Sequence, residues 1–220
     1  MSILSLCDVG KSFRKRKILS EINLEIESGS INSLSGRSGS GKTTLLTVMS
    51  GLLKPDSGQV FYKGKNIYKW ADFKRSAYRN KNVGFIFQSF NLLPDYTVYQ
   101  NIVYPAVLNF SAKGIKQKAD YLIEYLGIKN IENHLPAAIS GGEKQRAAVA
   151  RAMMNDPDII FADEPTGNLD SDTGKSIFAL FKDIQKKHEI SFIIATHDKY
   201  IIRNSDYHYS LMNCSITNKT

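Results

Sequence analysis

Gly36-Arg37-Ser38-Gly39-Ser40-Gly41-Lys42-Thr43 fits the spacing G-x-x-x-x-G-K-[ST], and its residue types suit a polyphosphate. Gly36, Gly39 and Gly41 let the backbone wrap closely around phosphates, with successive N–H groups turned inward. Residues 43–53 read as a helix, so Thr43 and Thr44 lie at an N-terminus whose partial positive charge acts at the same place. Lys42 is spaced to reach β- and γ-phosphates, and the Thr43 hydroxyl to hold Mg2+. A Gly/Ser-rich surface loop matches this pattern by accident in about one such chain in a hundred. Ile31–Ser35, just before the loop, reads as a short buried strand, the setting the pattern requires. These residues point to nucleotide phosphate binding without choosing among kinases, GTPases, helicases and transport ATPases.

Two further stretches carry chemistry. Residues 159–162 are a fully apolar run that ends in Asp163-Glu164. Beside a phosphate loop, Asp163 is suited to hold Mg2+, directly or through water, and Glu164 to polarise a water for attack on a γ-phosphate. Alone, the pair would read as a solvated acidic turn. In Ile139-Ser140-Gly141-Gly142-Glu143, Ser140 and Glu143 fit a capping box at a helix start. Two consecutive glycines in a first turn cost helix stability. They suit instead the close approach of an anion to the helix N-terminus.

The elements that must position these groups form an α/β pattern. Residues 3–9 and 18–26 alternate apolar and polar side chains, as half-buried antiparallel strands do. Phe13 falls in the turn region between them. Further strands are predicted at 59–62, 82–87, 159–162 and 190–196, with closing edge strands over 207–217. Helices are predicted at 72–80, 97–110, 116–126, 141–154 and 171–187. The expected organisation is one domain, 1–220, whose core (1–88 and 155–220) carries a helical subdomain over 89–154. Four apolar strands end in polar groups: Ser35 at the phosphate loop, Phe87 in Gln88, Ala162 in Asp163-Glu164, and Thr196 in His197. Open α/β sheets bind ligands at the carboxyl ends of their strands, so the four ends are expected to converge.

In this order the motifs resemble those of the ATP-binding-cassette (ABC) ATPases. Ile139-Ser140-Gly141-Gly142-Glu143 resembles the family's signature, with Ile and Glu where Leu and Gln are commonest. Gln88 is similar to the Q-loop glutamine, Asp163 and Glu164 to the Walker B aspartate and catalytic glutamate, Asn168-Leu169-Asp170 to the D-loop and His197 to the switch histidine. Phe13 fits the aromatic that stacks on adenine. The resemblance covers nearly the whole chain, from about residue 13 to 197. It implies a P-loop NTPase (RecA-like) core sheet with an N-terminal antiparallel β-subdomain and an inserted α-helical subdomain. It implies ATP as ligand, held by Phe13, the loop from Gly36 to Thr44, Ser140, Gly141, Gly142 and Asp170. Mg2+ would be held by Thr43, Gln88 and Asp163, and hydrolysis served by Glu164, His197, Lys42 and Gln88. Two copies, or this chain and a similar cassette, would pair head to tail around two ATP molecules.

The stretches Gly84-Phe85-Ile86-Phe87-Gln88-Ser89-Phe90-Asn91-Leu92-Leu93-Pro94 and Asp163-Glu164-Pro165-Thr166-Gly167-Asn168-Leu169-Asp170-Ser171 resemble one branch of the family. It holds the ATPases of macrolide exporters, lipoprotein-release systems, antimicrobial-peptide resistance transporters and bacteriocin exporters. That likeness implies a bacterial ATPase in the cytoplasm, peripheral on the inner face of the cell membrane. There it would drive a separate integral membrane permease in the export or release of a peptide, lipoprotein or drug-like substrate. By the same analogy residues 89–104 receive the permease's coupling helix. A second implied role is an ATPase beside a membrane protein in signalling or cell division.

Composition bounds these expectations. A chain of 220 residues, 42% hydrophobic, fits one domain with a real core. No run approaches the roughly 18 apolar residues of a membrane span, and the first five residues lack the pattern of a signal peptide. Cys7 and Cys214 read as incidental and reduced. The net charge of +8 has its densest patch at Arg14-Lys15-Arg16-Lys17, between two strand-like segments, where a basic hairpin turn accounts for it. No aromatic RNA-binding motif, Cys/His finger or zipper accompanies it, so no specific nucleic-acid partner is expected.

Overall fold

The computed structural model describes residues 1–108 and 114–218. The chain opens with β1 (Ser2–Phe13) and β2 (Arg16–Glu27), followed by β3 (Ile31–Ser35) and α1 (Lys42–Met49). Next come β4 (Ser57–Tyr62), β5 (Lys65–Asn66), α2 (Asp72–Asn82) and β6 (Val83–Phe87). The chain is then helical, with α3 (Val98–Val107), α4 (Ile115–Tyr125) and α5 (Gly141–Met153). It closes with β7 (Ile159–Asp163), α6 (Ser171–His188), β8 (Ser191–Ala195), α7 (Lys199–Asn204), β9 (Tyr207–Met212) and β10 (Ser215–Asn218).

Two sheets result. One is antiparallel, in the order β2-β1-β4-β5. The other has the order β10-β9-β3-β8-β7-β6, parallel throughout except for the antiparallel edge strand β10. The α/β fold class is therefore as expected from the sequence. Alternation along β7 and β8 divides the core. Ile160, Ala162, Phe192 and Ile194 face the cluster built with α3, α4, α5 and α6. Ile159, Phe161, Ile193 and Ala195 face a second cluster, built with α1 and the antiparallel sheet. Burial on both faces explains why these strands read as unbroken apolar runs.

Several boundaries differ from expectation, each for a local reason. The helix expected at 43–53 ends at Met49, because the chain turns at Gly51. α2 continues to Asn82 and takes that residue from the expected strand. α3 starts after Thr97, whose side chain caps it in a reciprocal pair with Gln100. The expected continuation of this helix to Phe110 lies outside the described residues. β9 is not an edge strand: it pairs with β3 on one side and β10 on the other. α7, with only one turn and a half, carries too little periodicity to be read, although Asp198 caps it. No described helix is long and apolar enough to cross a membrane. Cys7 and Cys214 are both free thiols.

Candidate active site

The parallel order β3-β8-β7-β6 brings four carboxyl ends side by side. β3 delivers the phosphate loop, β8 leads to His197, β7 ends in Asp163 before Glu164, and β6 leads to Gln88. The expected convergence is thus a consequence of strand order.

Within the loop, Arg37, Ser38 and Gly39 are exposed at the tip and Ser40 N–H closes back on the Arg37 carbonyl at 3.1 Å. Gly41 has φ +104, and a Cβ there would lie 2.7 Å from Ile18 Cγ2, so the loop's junction with α1 accepts glycine only. Lys42 Nζ donates to the Gly36 carbonyl at 2.9 Å and the Arg37 carbonyl at 3.4 Å. It also lies 3.8 Å from Glu164 Oε1. Thr44 follows in the first turn of α1. Ser40 Oγ is buried and has no hydrogen-bond partner among the described residues. An orphaned hydroxyl, a lysine and a helix N-terminus on one loop fit a phosphate group.

The metal donors expected from sequence also meet. Thr43 Oγ1 donates to Asp163 Oδ2 at 2.6 Å. A hydroxyl and a carboxylate oxygen beside a phosphate loop are the hard donors that Mg2+ takes. Gln88 is placed less directly. Its carbonyl accepts from Asn168 Nδ2 at 2.9 Å, and a Cβ on Gly167 would come within 2.9 Å of its amide nitrogen. The glutamine thus rests on the turn that follows Glu164.

Glu164 sits at φ +48, an uncommon conformation for glutamate, held by donation of its N–H to the Ala195 carbonyl at 2.8 Å. Its Oε2 lies 2.9 Å from His197 Nδ1 and also accepts from His197 N–H at 3.4 Å. One carboxylate therefore bridges Lys42 and His197. Strained backbone that a neighbouring strand holds in place is a device of functional sites.

Other site candidates lie elsewhere in the chain. Phe13 ends β1 with 48% of its surface exposed, and Lys11 Nζ lies 5.7 Å from its ring centroid. Ser140 caps α5 in a full capping box with Glu143. The Ser140 hydroxyl and N–H hold the Glu143 carboxyl below the usual carboxylate range. A Cβ on Gly141 would meet Leu169 Cδ2 at 3.2 Å, and one on Gly142 would meet Thr173 Cγ2 at 3.0 Å. The signature turn thus packs on the segment after Glu164, and its nearest neighbours are not phosphate-loop residues. Asp170 caps α6, accepting from the N–H groups of Asp172 and Thr173 and from Thr173 Oγ1 at 2.6 Å. The Thr173 bonds hold its carboxyl low as well.

Sequence reasoning missed Arg151. Its Nη1 donates to the Asn91 carbonyl at 2.5 Å and its Nη2 to the Phe90 carbonyl at 2.9 Å. Phe90 and Asn91 both have positive φ, so one guanidinium staples the tight segment just after Gln88. The available signal was a lone cation in the otherwise apolar run Ala147-Ala148-Val149-Ala150-Arg151-Ala152-Met153.

Comparison with known proteins agrees with this arrangement. Residues 19–167 match the profile of the family described as "ABC transporter". The chain is 42% identical over its full length to the lipoprotein-releasing system ATP-binding protein LolD of Wigglesworthia glossinidia brevipalpis, covering 98% of that protein. It is 40% identical to the LolD of Bacteroides fragilis, over 93% of this chain and 95% of that protein. Among solved structures, it is similar to a dimeric bacterial ABC transporter cassette, MJ0796. The TM-score is 0.90 at 32% identity, covering 99% of this chain and 98% of that one. A second structure of that cassette, a dimeric post-hydrolysis state bound to ADP and Pi, gives a TM-score of 0.89 at 31% identity, covering 99% and 98% of the two chains. The chain belongs to the ABC transporter family, as an ATP-binding cassette ATPase of the LolD type.

Proposed function

We propose that this cassette drives a separate bacterial membrane permease in the release or export of lipoproteins, peptides or drug-like molecules, through ATP-dependent head-to-tail pairing of two copies. The observation that carries the reading is the split of the nucleotide groups. Phosphate, metal and water groups gather at the strand ends, while Ser140, Gly141 and Gly142 pack on Leu169 and Thr173. The α5 N-terminus therefore serves a phosphate loop other than its own. A second copy turned head to tail supplies one. The names of the relatives favour lipoprotein release within this range.

When bound, ATP supplies the phosphoryl group to be transferred, and Mg2+ neutralises charge that builds on it. The chain's residues do the rest. Lys42 turns from the Gly36 carbonyl to a phosphate oxygen, and Phe13 offers its open face to the base. Thr43 and Asp163 would hold the metal, and Gln88 would join them from the loop after β6. Glu164 orients a water and accepts its proton, with Oε2 fixed by His197. The helical stretch 89–154 moves as a unit against the core formed by 1–88 and 155–220. The cassette works in the cytoplasm on the inner face of the membrane, with residues 89–104 against the permease.

Sedimentation of Glu164→Gln with ATP and Mg2+ tests the pairing, and a dimer is expected. Gly142→Asp places a like charge where a phosphate approaches and leaves the Ser140 cap in place. The double variant should stay monomeric while each chain binds ATP as tightly as Glu164→Gln does under dilute conditions. A Glu164→Gln protein that remains monomeric at saturating ATP overturns the proposal.

A further inference from the structure

We propose that α2 and the turn between β4 and β5 form a membrane-contact surface, on which lysines meet anionic phospholipid headgroups and Phe73 enters the bilayer interface. The inference deepens the reading that the cassette works on the inner face of a membrane, and rests on it for the choice of lipid among polyanions. Residues 61–82 are a tenth of the chain, yet they hold seven lysines and arginines and one acid, Asp72. They therefore carry +6 of the net charge of +8, and the other nine-tenths is close to neutral. Lys65, Lys69, Lys74 and Lys81 are exposed, and none has a carboxylate within 4 Å among the described residues. Charge gathered in this way turns one side of the molecule toward an anionic surface.

Charge is not the whole of the patch. Phe73 leaves 79% of its surface exposed, more than any other aromatic side chain among the described residues. At about 100° per residue, Phe73, Ala77, Lys81 and Lys74 fall on one stripe of α2, and all four are exposed. Tyr78 turns inward instead, with its ring centroid 4.7 Å from that of Tyr62 and 5.7 Å from that of Trp70. The Tyr62 contact brings the turn that carries Lys63 and Lys65 against the helix. Lys74 Nζ lies 5.3 Å from the Trp70 ring centroid, so a second aromatic sits among the lysines. A single exposed apolar side chain is ordinary on a protein surface. One ringed by unpaired lysines has the composition of a helix that lies in a bilayer interface.

The position of the stripe agrees with its composition. Ser76 and Asn80 turn to a groove whose far wall is Tyr104 and Leu108. Around the helix, Phe73 lies between that pair and the lysines. Tyr104 belongs to the stretch placed against the permease, so the stripe borders the same side of the molecule, and lipid around the permease is the polyanion nearest to it. Attraction to an anionic leaflet grows with each lysine and fades within about 8 Å at physiological salt. Lysines around one aromatic anchor therefore give reversible contact that adds to protein docking without replacing it.

The test uses the purified full chain and vesicles of phosphatidylcholine, with and without phosphatidylglycerol, that contain no permease. Trp70, the chain's single tryptophan, reports from within the patch. The chain should float with the anionic vesicles only, more weakly as salt rises, and a nitroxide on the lipid headgroup should quench Trp70 fluorescence. Phe73→Ser, which leaves the charge unchanged, should lower the partition coefficient about tenfold. Lys65→Glu with Lys74→Glu should lower it at least about tenfold. Lys15→Glu with Arg16→Glu makes the same change of net charge on the other basic run and should lower it less than about threefold. Unchanged melting temperatures show that the variants are folded. No flotation, equal flotation with neutral vesicles, or flotation without quenching of Trp70 overturns the inference. So does an unaffected Phe73→Ser, or equal loss in the two charge variants. A chain that binds single-stranded RNA but not vesicles also overturns it, in favour of nucleic acid. Because the vesicles hold no permease, none of these results touches the permease reading, which falls instead if Glu164→Gln stays monomeric with ATP.

Discussion

Glu164→Gln removes one negative charge while keeping the shape of the side chain. Lys42 Nζ lies 3.8 Å from Glu164 Oε1, with the two side chains only 10% and 16% exposed. Coulomb's law at that separation gives about 1 kcal/mol in water and about 4 kcal/mol at an effective dielectric near 20. Lys42 gives up this attraction when it turns to a phosphate, and a γ-phosphate near Lys42 also meets the carboxylate. Desolvation of the pair offsets part of the Coulomb term. A net ~1–2 kcal/mol remains, which corresponds to ATP binding about 5- to 30-fold tighter in the variant. The loop keeps its form, because Lys42 still donates to the Gly36 and Arg37 carbonyls. Release of Lys42 is common to ATP and ADP, whereas repulsion requires the γ-phosphate, so ADP should gain less. Hydrolysis should fall about 10²- to 10⁴-fold through loss of the general base. The assay is titration with ATP and ADP at protein concentrations where sedimentation reads a monomer, with single-turnover hydrolysis alongside. Unchanged or weaker ATP affinity in a folded variant refutes the argument that Lys42 and Glu164 are energetically coupled. Retained turnover removes Glu164 from its proposed role.

Thr43→Val deletes the hydroxyl that donates to Asp163 Oδ2, so titration of ATPase rate against Mg2+ should need at least about tenfold more metal for half-maximal activity. Arg151→Gln removes the two-pronged hold on the Phe90 and Asn91 carbonyls, and hydrogen exchange should rise at Ser89 to Asn91 before it rises in β6. Asp158 ties β7 to β4 and α2. Burial pushes its carboxyl up, but hydrogen bonds from Tyr62, Lys63 and Asn82 outweigh that and hold it below the usual range. A lowered carboxyl stabilises the fold above its unfolded pKa of about 4 and loses that effect as pH falls through its folded value. Asp158→Asn should therefore melt about 4–8 °C below the parent at pH 7, for a loss of ~2 kcal/mol, and the difference should shrink as pH falls through the lowered folded value.

The parts of the molecule legible in the sequence are those fixed by local pattern. β7 and β8 are buried on both faces and so appear as apolar runs of strand length. β1 and β2 show alternation because one face of the antiparallel sheet meets the second core cluster. The Ser140 capping box needs no tertiary partner and was readable from four residues. Register and neighbours were not legible. Residues 207–217 were expected to form closing edge strands, yet β9 lies between β3 and β10. Arg151 was missed for the same reason. Its role depends on two backbone carbonyls about 60 residues away, which no local pattern encodes.

The segment from Glu164 to Thr173 is where the site becomes more than its motifs. Glu164 holds Lys42 and His197 on one side. Gly167 underlies the Gln88 amide, and Asn168 holds the Gln88 carbonyl. Leu169 packs against Gly141, Asp170 binds the Thr173 hydroxyl, and the Thr173 methyl packs against Gly142. A motif reading assigns Asp170 to the nucleotide, whereas its carboxylate is engaged in capping α6 and in fixing Thr173 under the signature turn. One segment therefore contains Glu164 and touches both the Gln88 loop and the α5 N-terminus. The lack of a side chain at Gly141, Gly142 and Gly167 lets its parts touch. Glu164 and the residues that touch the signature turn thus belong to one short segment, so the two halves of the proposed dimer site are joined through it.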